Sequence, residues 1–506
     1  MRRTLPTVIA LALATHAHAQ VLSFSDQTAA SQIDAMYQTP SGTISLPQFM
    51  LAGGAVGDFD RDGDPDVFIL SGGHAPDRLY INNGDGTFTD QAAAWGVDAS
   101  HVGGSASVAD YDNDGDLDLF VTGWMDEING DRLFRNNGPE GGYTFTDVTD
   151  VLTDLMSVPV FGFTPAFQDT DGDRYPELLI AADFSSSQYL RNDAGAGFTN
   201  VTAASGTGLD ENGMGATTGD FNNDGLVDWY VTAIWSAGGN KLYMNQGEHV
   251  FEEVSVQAGV NQGGWGWGAA AVDIDNDADL DILETNGWNL IEDPSFLFLN
   301  NLDGTFTESG VALGMNHVTQ GRSILLLDHD TDGDVDVLFL SHMDPAFLFR
   351  NDLTKDTGAG WLRVRLDNCG LAALTPDGVG AKLELTAGGV TQHRWISAAS
   401  SYLGQGEMVA HFGVDDATTV DELRVTWPSG FSRVLSGLDA NQSVVVTANR
   451  ADVGAPWGVL DIADASAFLD AWTHQRAEAD LAPPQGRFDY ADIMAFLVEF
   501  ASGCRE

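Results

Sequence analysis

Six acidic strings in the chain have the composition and spacing to hold hard cations. They are DFDRDGDPD from Asp58, DYDNDGDLD from Asp110, DTDGDRYPE from Asp169, DFNNDGLVD from Asp220, DIDNDADLD from Asp273 and DHDTDGDVD from Asp328. In the pattern DxDxDGxxD, positions 1, 3 and 5 project carboxylates to one side of a tight loop. Gly at position 6 permits a backbone turn closed to most residues. Position 7 then offers its carbonyl, and position 9 closes the shell with another carboxylate. The ligand sets are Asp58, Asp60, Asp62, Asp64 and Asp66, then Asp110, Asp112, Asp114, Asp116 and Asp118. The third and fourth are Asp169, Asp171, Asp173, Tyr175 and Glu177, and Asp220, Asn222, Asp224, Leu226 and Asp228. The last two are Asp273, Asp275, Asp277, Asp279 and Asp281, and Asp328, Asp330, Asp332, Asp334 and Asp336.

Hard oxygen donors in flexible number suit Ca²⁺, and about six Ca²⁺ sites are expected. Mg²⁺ usually keeps more of its waters, and the ligand positions hold no His or Cys to favour Zn²⁺. Solvated Asp/Asn/Gly turns are the plainer alternative, but 27 carboxylates packed into six strings would repel one another without counter-ions. The sites are not equal. Arg174 replaces Gly at position 6 of the third loop, Asn222 and Leu226 weaken the fourth, and Ala278 replaces Gly in the fifth. Loops one, two and six are expected to be the tightest. The ions are expected to serve structure and not catalysis.

The elements that must position these loops recur with them. The strings are 52, 59, 51, 53 and 55 residues apart. Each follows a small-residue run such as Trp267-Gly268-Ala269-Ala270-Ala271-Val272 and precedes an apolar run such as Leu117-Asp118-Leu119-Phe120-Val121. An Asn-rich turn and a Thr-Phe-Thr strand come next, as at Thr87-Phe88-Thr89, Thr144-Phe145-Thr146 and Thr305-Phe306-Thr307. About four short strands per repeat and no helical periodicity predict an all-β fold, with a β-propeller over residues 20–355. The sixth repeat lacks its Thr-Phe-Thr strand, and a free copy lies at Leu22–Thr28, which is expected to close the ring. Six blades are counted, and Gln32–Met50 leaves room for a seventh.

The 506 residues carry 22 Lys+Arg against 74 Asp+Glu, a formal charge of −52. That excludes a nucleic-acid binder and an anionic membrane surface as partner. Arg2 and Arg3, the apolar run from Leu5 to Ala14 and Ala17-His18-Ala19 have the layout of a signal peptide over residues 1–19. A secreted or cell-surface protein is expected, and no later segment qualifies as a membrane span. Cys369 and Cys504 are too few for a disulfide framework, and pairing, free thiols and an intermolecular bond all remain open.

The six loops resemble FG-GAP/VCBS repeats, the blade units of integrin α-chain propellers. Residues 358–448 resemble an ASPIC/UnbV domain through Trp361-Leu362-Arg363-Val364, Gly378-Val379-Gly380-Ala381, His411-Phe412-Gly413, Trp427-Pro428-Ser429-Gly430 and Asn441-Gln442. This order of modules is similar to that of the cartilage acidic protein-like family, and the resemblance implies an extracellular calcium-binding protein. On its own periodicity the second domain is a small β-sandwich with strands at Leu362–Leu366, Ala381–Leu385, Thr391–Ile396, Glu422–Trp427 and Ser443–Thr447. His411 is read as structural, and Trp427–Gly430 as a strand end and turn.

Residues 452–506 form a third module, in which 452–472 and 480–500 are copies offset by 28. It resembles a dockerin type I pair of loop-helix units, with Ile462, Phe468, Leu469 and Trp472 expected on one side of its first helix. Val453, Ala455, Trp457, Leu481, Pro483 and Gln485 stand where calcium ligands are usual, so the module is expected to dock a partner or cap the sandwich.

No nucleophile elbow, phosphate loop or metalloprotease motif is present. The expected function is adhesion to, or recognition of, an extracellular protein or polysaccharide. Trp124, Trp235, Trp265, Trp267 and Trp288 are candidates for stacking on sugars or for filling the core. The alternative is a polysaccharide-active enzyme or an enzyme-associated scaffold.

Overall fold

The computed structural model describes residues 28–33 and 53–502, apart from 73–74, 100–102, 125–129, 153–158, 235–237, 289–292, 343, 354–358, 399–400, 454–461, 477–478, 480 and 482–486. The signal peptide, Leu22–Gln27 of the closing strand, almost all of Gln32–Met50, Ala455, Trp457, Pro483, Gln485, Trp235 and Cys504 lie outside the described residues.

Six antiparallel sheets follow one another, each with its strands in chain order. Blade one is Gly54–Gly57, Asp66–Ile69, Arg78–Asn82 and Phe88–Asp90. Blade two is Gly103–Ala109, Asp118–Gly123, Arg132–Asn136 and Phe145–Asp147. Blade three is Phe161–Gln168, Glu177–Asp183, Gln188–Asn192 and Phe198–Asn200. Blade four is Gly213–Gly219, Asp228–Ala233, Lys241–Asn245 and Phe251–Glu253. Blade five is Gly266–Val272, Asp281–Asn286, Phe296–Asn300 and Phe306–Glu308. Blade six has three described strands, Gly321–Leu327, Asp336–Ser341 and Phe347–Phe349. Every acidic string joins a first strand to a second, which puts all six at the same end of their blades.

The small residues of the first strands let neighbouring blades approach. A Cβ on Gly215 would lie 1.9 Å from the Trp267 carbonyl, and one on Gly268 would lie 2.4 Å from that of Arg322. Hydroxyls fill the same gaps, Thr164 donating to Met214 O and Thr285 to Arg322 O. A second staple lies further out. Asn136, Asn192, Asn245 and Asn300, each the last residue of a third strand, and Asn351, just beyond one, donate to the position-2 carbonyl of the preceding blade's loop, at Phe59, Tyr111, Thr170, Phe221 and Ile274. Their counterpart Asn82 donates to Pro65 O within its own blade.

Between blades six and one, the second domain supplies the bridge. The Gln405 amide pairs with both N and O of Val56, and Ser401 Oγ accepts from Ile324 N. Beside them Tyr402 is fully buried in a cluster with Trp124, Phe163, Met214 and Trp267. One-turn helices after the fourth strands, Ala92–Trp95, Thr202–Ser205 and Ser255–Ala258, are departures from the expectation of no helix. Four residues are too short a stretch to carry a 3.6 period.

The second domain is a two-sheet sandwich. Gly360–Asp367 lies between Ala410–Asp415 and, in parallel, Gln442–Thr447. The other sheet orders Val390–Trp395, Lys382–Ala387, Thr419–Thr426 and Ser432–Asp439. Leu362, Leu383, Phe412, Leu423 and Trp427 share its core. The strands Ala410–Asp415 and Ser432–Asp439 are additional to the five expected. Cys369 is disulfide-bonded.

Among the described residues the tail contains two helices, Ile462–Thr473 and Tyr490–Ser502, whose Phe468 and Phe496 rings stack at 4.1 Å. Ile462 and Leu469 do not share the buried face with Phe468, being 83% and 55% exposed. The buried stripe is Asp464, Phe468 and Ala471, spaced by four and three, whereas Leu469 sits about 100° round the helix from Phe468. Among the described residues, no helix is long and apolar enough to cross a membrane.

Candidate metal centres in the acidic loops

Each loop is wound around its first carboxylate. Asp58 accepts from Asp62 N and Gly63 N, both at 3.1 Å, and Asp110, Asp220, Asp273 and Asp328 repeat the pair. Asp169 accepts instead from Gly172 N and Arg174 N. Position 6 is left-handed in all six loops, including Arg174 at φ 77° and Ala278 at φ 80°. Position 4 is left-handed too, at Arg61, Asn113, Asn223, Asn276 and Thr331 as well as Gly172. That second constraint was not read from the sequence, although Asn tolerates this region better than most residues.

The winding brings carboxylate oxygens together. Asp58, Asp60 and Asp62 place ligand atoms within 4.8 Å of one another, as do Asp110, Asp112 and Asp118, and Asp169, Asp171 and Asp173. One buried oxygen each of Asp60, Asp112 and Asp275, all at position 3, has no hydrogen-bond partner. Burial, reinforced by neighbouring carboxylates, pushes Asp58 up to about 6, Asp110 to about 8 and Asp279 to about 8. Orphaned, crowded oxygens fit a cation of the Ca²⁺ class and meet no hydrogen-bond donor among the described residues.

Position 9 has a further task. Asp66 accepts from Phe59 N through one oxygen and from Asn82 N through the other, and is fully buried. Asp118, Asp228, Asp281 and Asp336 do the same in their loops. The residue therefore ties its loop to the third strand, a role the ligand pattern does not disclose.

All six loops touch the second domain. Arg61 of the first loop donates to Leu371 O and Leu374 O, and Ala372 O lies against Gly115 of the second. Arg174 of the third donates to Pro428 O, so its guanidinium is turned toward the sandwich. At the fourth, His393 Nδ1 lies 2.9 Å from Asp220 Oδ2 and Lys382 donates to Gly225 O. At the fifth, Gly413 N donates to Asp273, and His411 Nε2 donates to Asn276 Oδ1 at 2.7 Å. At the sixth, Arg363 donates to Asp328 and to Glu407. Burial drops His411 to about 3, so the imidazole is neutral and structural. A cavity of about 180 Å³ between propeller and sandwich is lined by Asp273, Asp328, Arg363, His393, Arg394 and His411, among others.

At the opposite end lie the aromatics. Trp124 and Trp267 fill the central core, whereas Trp265 and Trp288 are half-buried and stacked at 5.6 Å. Arg322 lies over the Trp267 ring at 4.0 Å, and the exposed Phe184 meets Phe161 edge-on.

Comparison with known proteins places this geometry. The FG-GAP-like repeat family matches residues 58–121, 110–180, 169–231 and 232–284, and the ASPIC and UnbV family matches 372–453. Cartilage acidic protein 1 of Homo sapiens is 29% identical over 204 residues, 38% of this chain and 27% of that protein. The Xenopus tropicalis protein of the same name is 28% identical over 215 residues, 40% of this chain and 30% of its own. The matches thus span less than a third of these relatives. Among solved structures, a lectin of Agrocybe aegerita that recognises non-reducing terminal N-acetylglucosamine aligns at TM-score 0.38 and 18% identity, covering 60% of this chain and 81% of the lectin. A putative exo-β-1,3-galactanase of Bifidobacterium bifidum aligns at 0.28 and 12%, covering 62% and 94%.

Proposed function

The chain matches the cartilage acidic protein-like family in its FG-GAP-like repeats and its ASPIC and UnbV domain, and from that premise we propose a secreted calcium-binding propeller that recognises an extracellular protein or glycan. The observation that carries the calcium is the set of orphaned, buried position-3 oxygens at Asp60, Asp112 and Asp275. Asp58 to Asp66 and their counterparts would hold the ions, whose charge offsets the crowded carboxylates. Since the sandwich contacts every loop, calcium also sets the platform on which the second domain sits. Calcium in this reading is structural, and folding free energy depends on it through mass action.

Recognition then falls to the end of the propeller away from the loops. The stacked Trp265 and Trp288 offer aromatic faces there, and such faces suit sugar rings or apolar side chains. Exposed Leu469 and Leu497, at equivalent places in the two tail copies, suit a separate docking partner. The test is retention of the full chain on a panel of polysaccharides in Ca²⁺ and in EDTA, with released sugar scored together. Retention in calcium without release supports glycan recognition. Release would overturn it in favour of a polysaccharide-active enzyme, and no retention would leave a protein partner as the ligand.

A further inference from the structure

Loop three differs from the other five in ways that point to a different metal. At position 9 it has Glu177 where the others have Asp. In the other loops the position-9 carboxylate gives one oxygen to each of two backbone amides. Glu177 takes both of its bonds on one oxygen, Oε2, from Thr170 N at 2.9 Å and Thr170 Oγ1 at 2.8 Å. Its second oxygen, Oε1, is buried and has no partner, in a side chain that is fully enclosed. The extra methylene has freed a carboxylate oxygen inside the loop.

An imidazole arrives from the next blade. In blade three the turn between the third and fourth strands lies against the preceding blade's loop, Gly195 meeting Asp112. In blade four this turn carries His249, whose Nε2 lies 3.2 Å from Asp171 Oδ2. Ligand atoms of Asp171, Glu177 and His249 lie within 4.8 Å of one another. The other ring nitrogen, Nδ1, lies 2.7 Å from the Tyr189 hydroxyl, which is 2.7 Å from Thr170 Oγ1. Read as a donor chain, Nδ1–H donates to Tyr189, Tyr189 to Thr170 and Thr170 to Glu177 Oε2. That order leaves a lone pair on Nε2, which lies beside Asp171 Oδ2, and leaves Oε1 of Glu177 free. Outer hydrogen bonds of this kind fix the tautomer and orientation of metal-ligating histidines.

We propose that loop three is a mixed carboxylate–imidazole centre for a divalent transition ion of the Zn²⁺ class, held by Asp171, Glu177 and His249. Imidazole suits Zn²⁺ and its first-row neighbours, whereas Ca²⁺ takes oxygen. Three protein ligands leave a position for water, the arrangement found in open zinc sites. This goes beyond the calcium reading, which the remaining loops carry. Arg174 leaves the site clear because its guanidinium is held by Pro428 O.

The experiment uses the full chain, stripped with chelator, refilled with excess Ca²⁺ and then titrated with Zn²⁺, with Co²⁺ as a visible-spectrum probe. One Zn²⁺ per chain should bind that excess Ca²⁺ does not displace, and Co²⁺ should show ligand-field bands of an imidazole site. His249→Ala should remove both signals. Tyr189→Phe should weaken Zn²⁺ by roughly 10- to 100-fold, the usual effect of losing an outer-shell partner. His474→Ala, an exposed histidine of the tail, should change neither. Zn²⁺ that His249→Ala binds as well as the parent chain, or that Ca²⁺ displaces, would overturn the proposal. The number of Ca²⁺ ions bound in the same samples tests the calcium reading separately.

Discussion

His393 Nδ1 stands 2.9 Å from Asp220 Oδ2, so a strand of the sandwich meets the first carboxylate of the fourth acidic loop. Residues 173 apart in sequence are joined at a candidate metal-binding loop. The same relationship links Arg363 to Asp328 and Gly413 to Asp273. The acidic loops are therefore both the candidate ion sites and the seat of the second domain.

The Arg363–Asp328 pair should matter to stability. Asp328 is 2% exposed and Arg363 is 15% exposed in their side chains, so removing the guanidinium leaves a buried carboxylate with its two loop amides alone. Arg363→Met should cost roughly 1.5–3 kcal/mol, the contribution of a hydrogen bond between charged groups. Urea unfolding of the variant in excess Ca²⁺ checks this, and an unchanged midpoint would contradict it.

Tyr402 should matter more. Its ring is fully buried among Trp124, Phe163 and Trp267 at the propeller centre, although it belongs to the second domain. Tyr402→Ala should cost about 3–5 kcal/mol, as large-to-small aromatic substitutions in cores do. Limited proteolysis should also cut faster around 399–409, because the segment that bridges blades six and one would lose its anchor.

A gain is expected at Ala278. Its φ of 80° is strained for a residue with a Cβ, and the equivalent position in loops one, two, four and six is Gly. Ala278→Gly should stabilise the calcium-loaded protein by about 1 kcal/mol, since relief of the left-handed penalty exceeds the added freedom of the unfolded chain. A lower melting temperature for this variant would contradict the assignment of strain.

Without calcium, stability should fall as pH rises. Burial lifts Asp66 to about 7, Asp110 to about 8 and Asp273 to about 7, against about 4 in an unfolded chain. A carboxyl raised on folding contributes stability that is complete below its unfolded value and is lost as pH climbs through its folded value. In EDTA the denaturation midpoint should therefore decline from about pH 4 to about pH 8. Calcium binds the ionised form, so its stabilising increment should grow over the same window. Midpoints that rise with pH in EDTA would contradict this.

Much of this was legible in sequence, because it is local. The repeat of Asp58, Asp110 and the later loops, the strand after each, and the Thr-Phe-Thr runs gave blades and loops without any tertiary information. The aromatic residues divided, with Trp124 and Trp267 in the core and Trp265 and Trp288 at the mouth. What escaped depends on contacts distant in the chain. The Asn136-to-Phe59 staple spans 77 residues and joins one repeat to the next, and the Gln405-to-Val56 bridge spans 349 and lies outside the repeat altogether. His249 had a signal that aligned repeats could have exposed, since it occupies a turn that crosses the preceding loop. The face of the first tail helix was misread because Leu469 and Phe468 are adjacent in sequence and both apolar.

The most direct test of the account is calorimetric unfolding of the full chain in excess Ca²⁺ and in EDTA. If the loops hold calcium and seat the sandwich, chelation should lower the melting temperature and split one cooperative transition into separate propeller and sandwich transitions. A single transition at the same temperature in both buffers would contradict the claim that calcium joins the two domains.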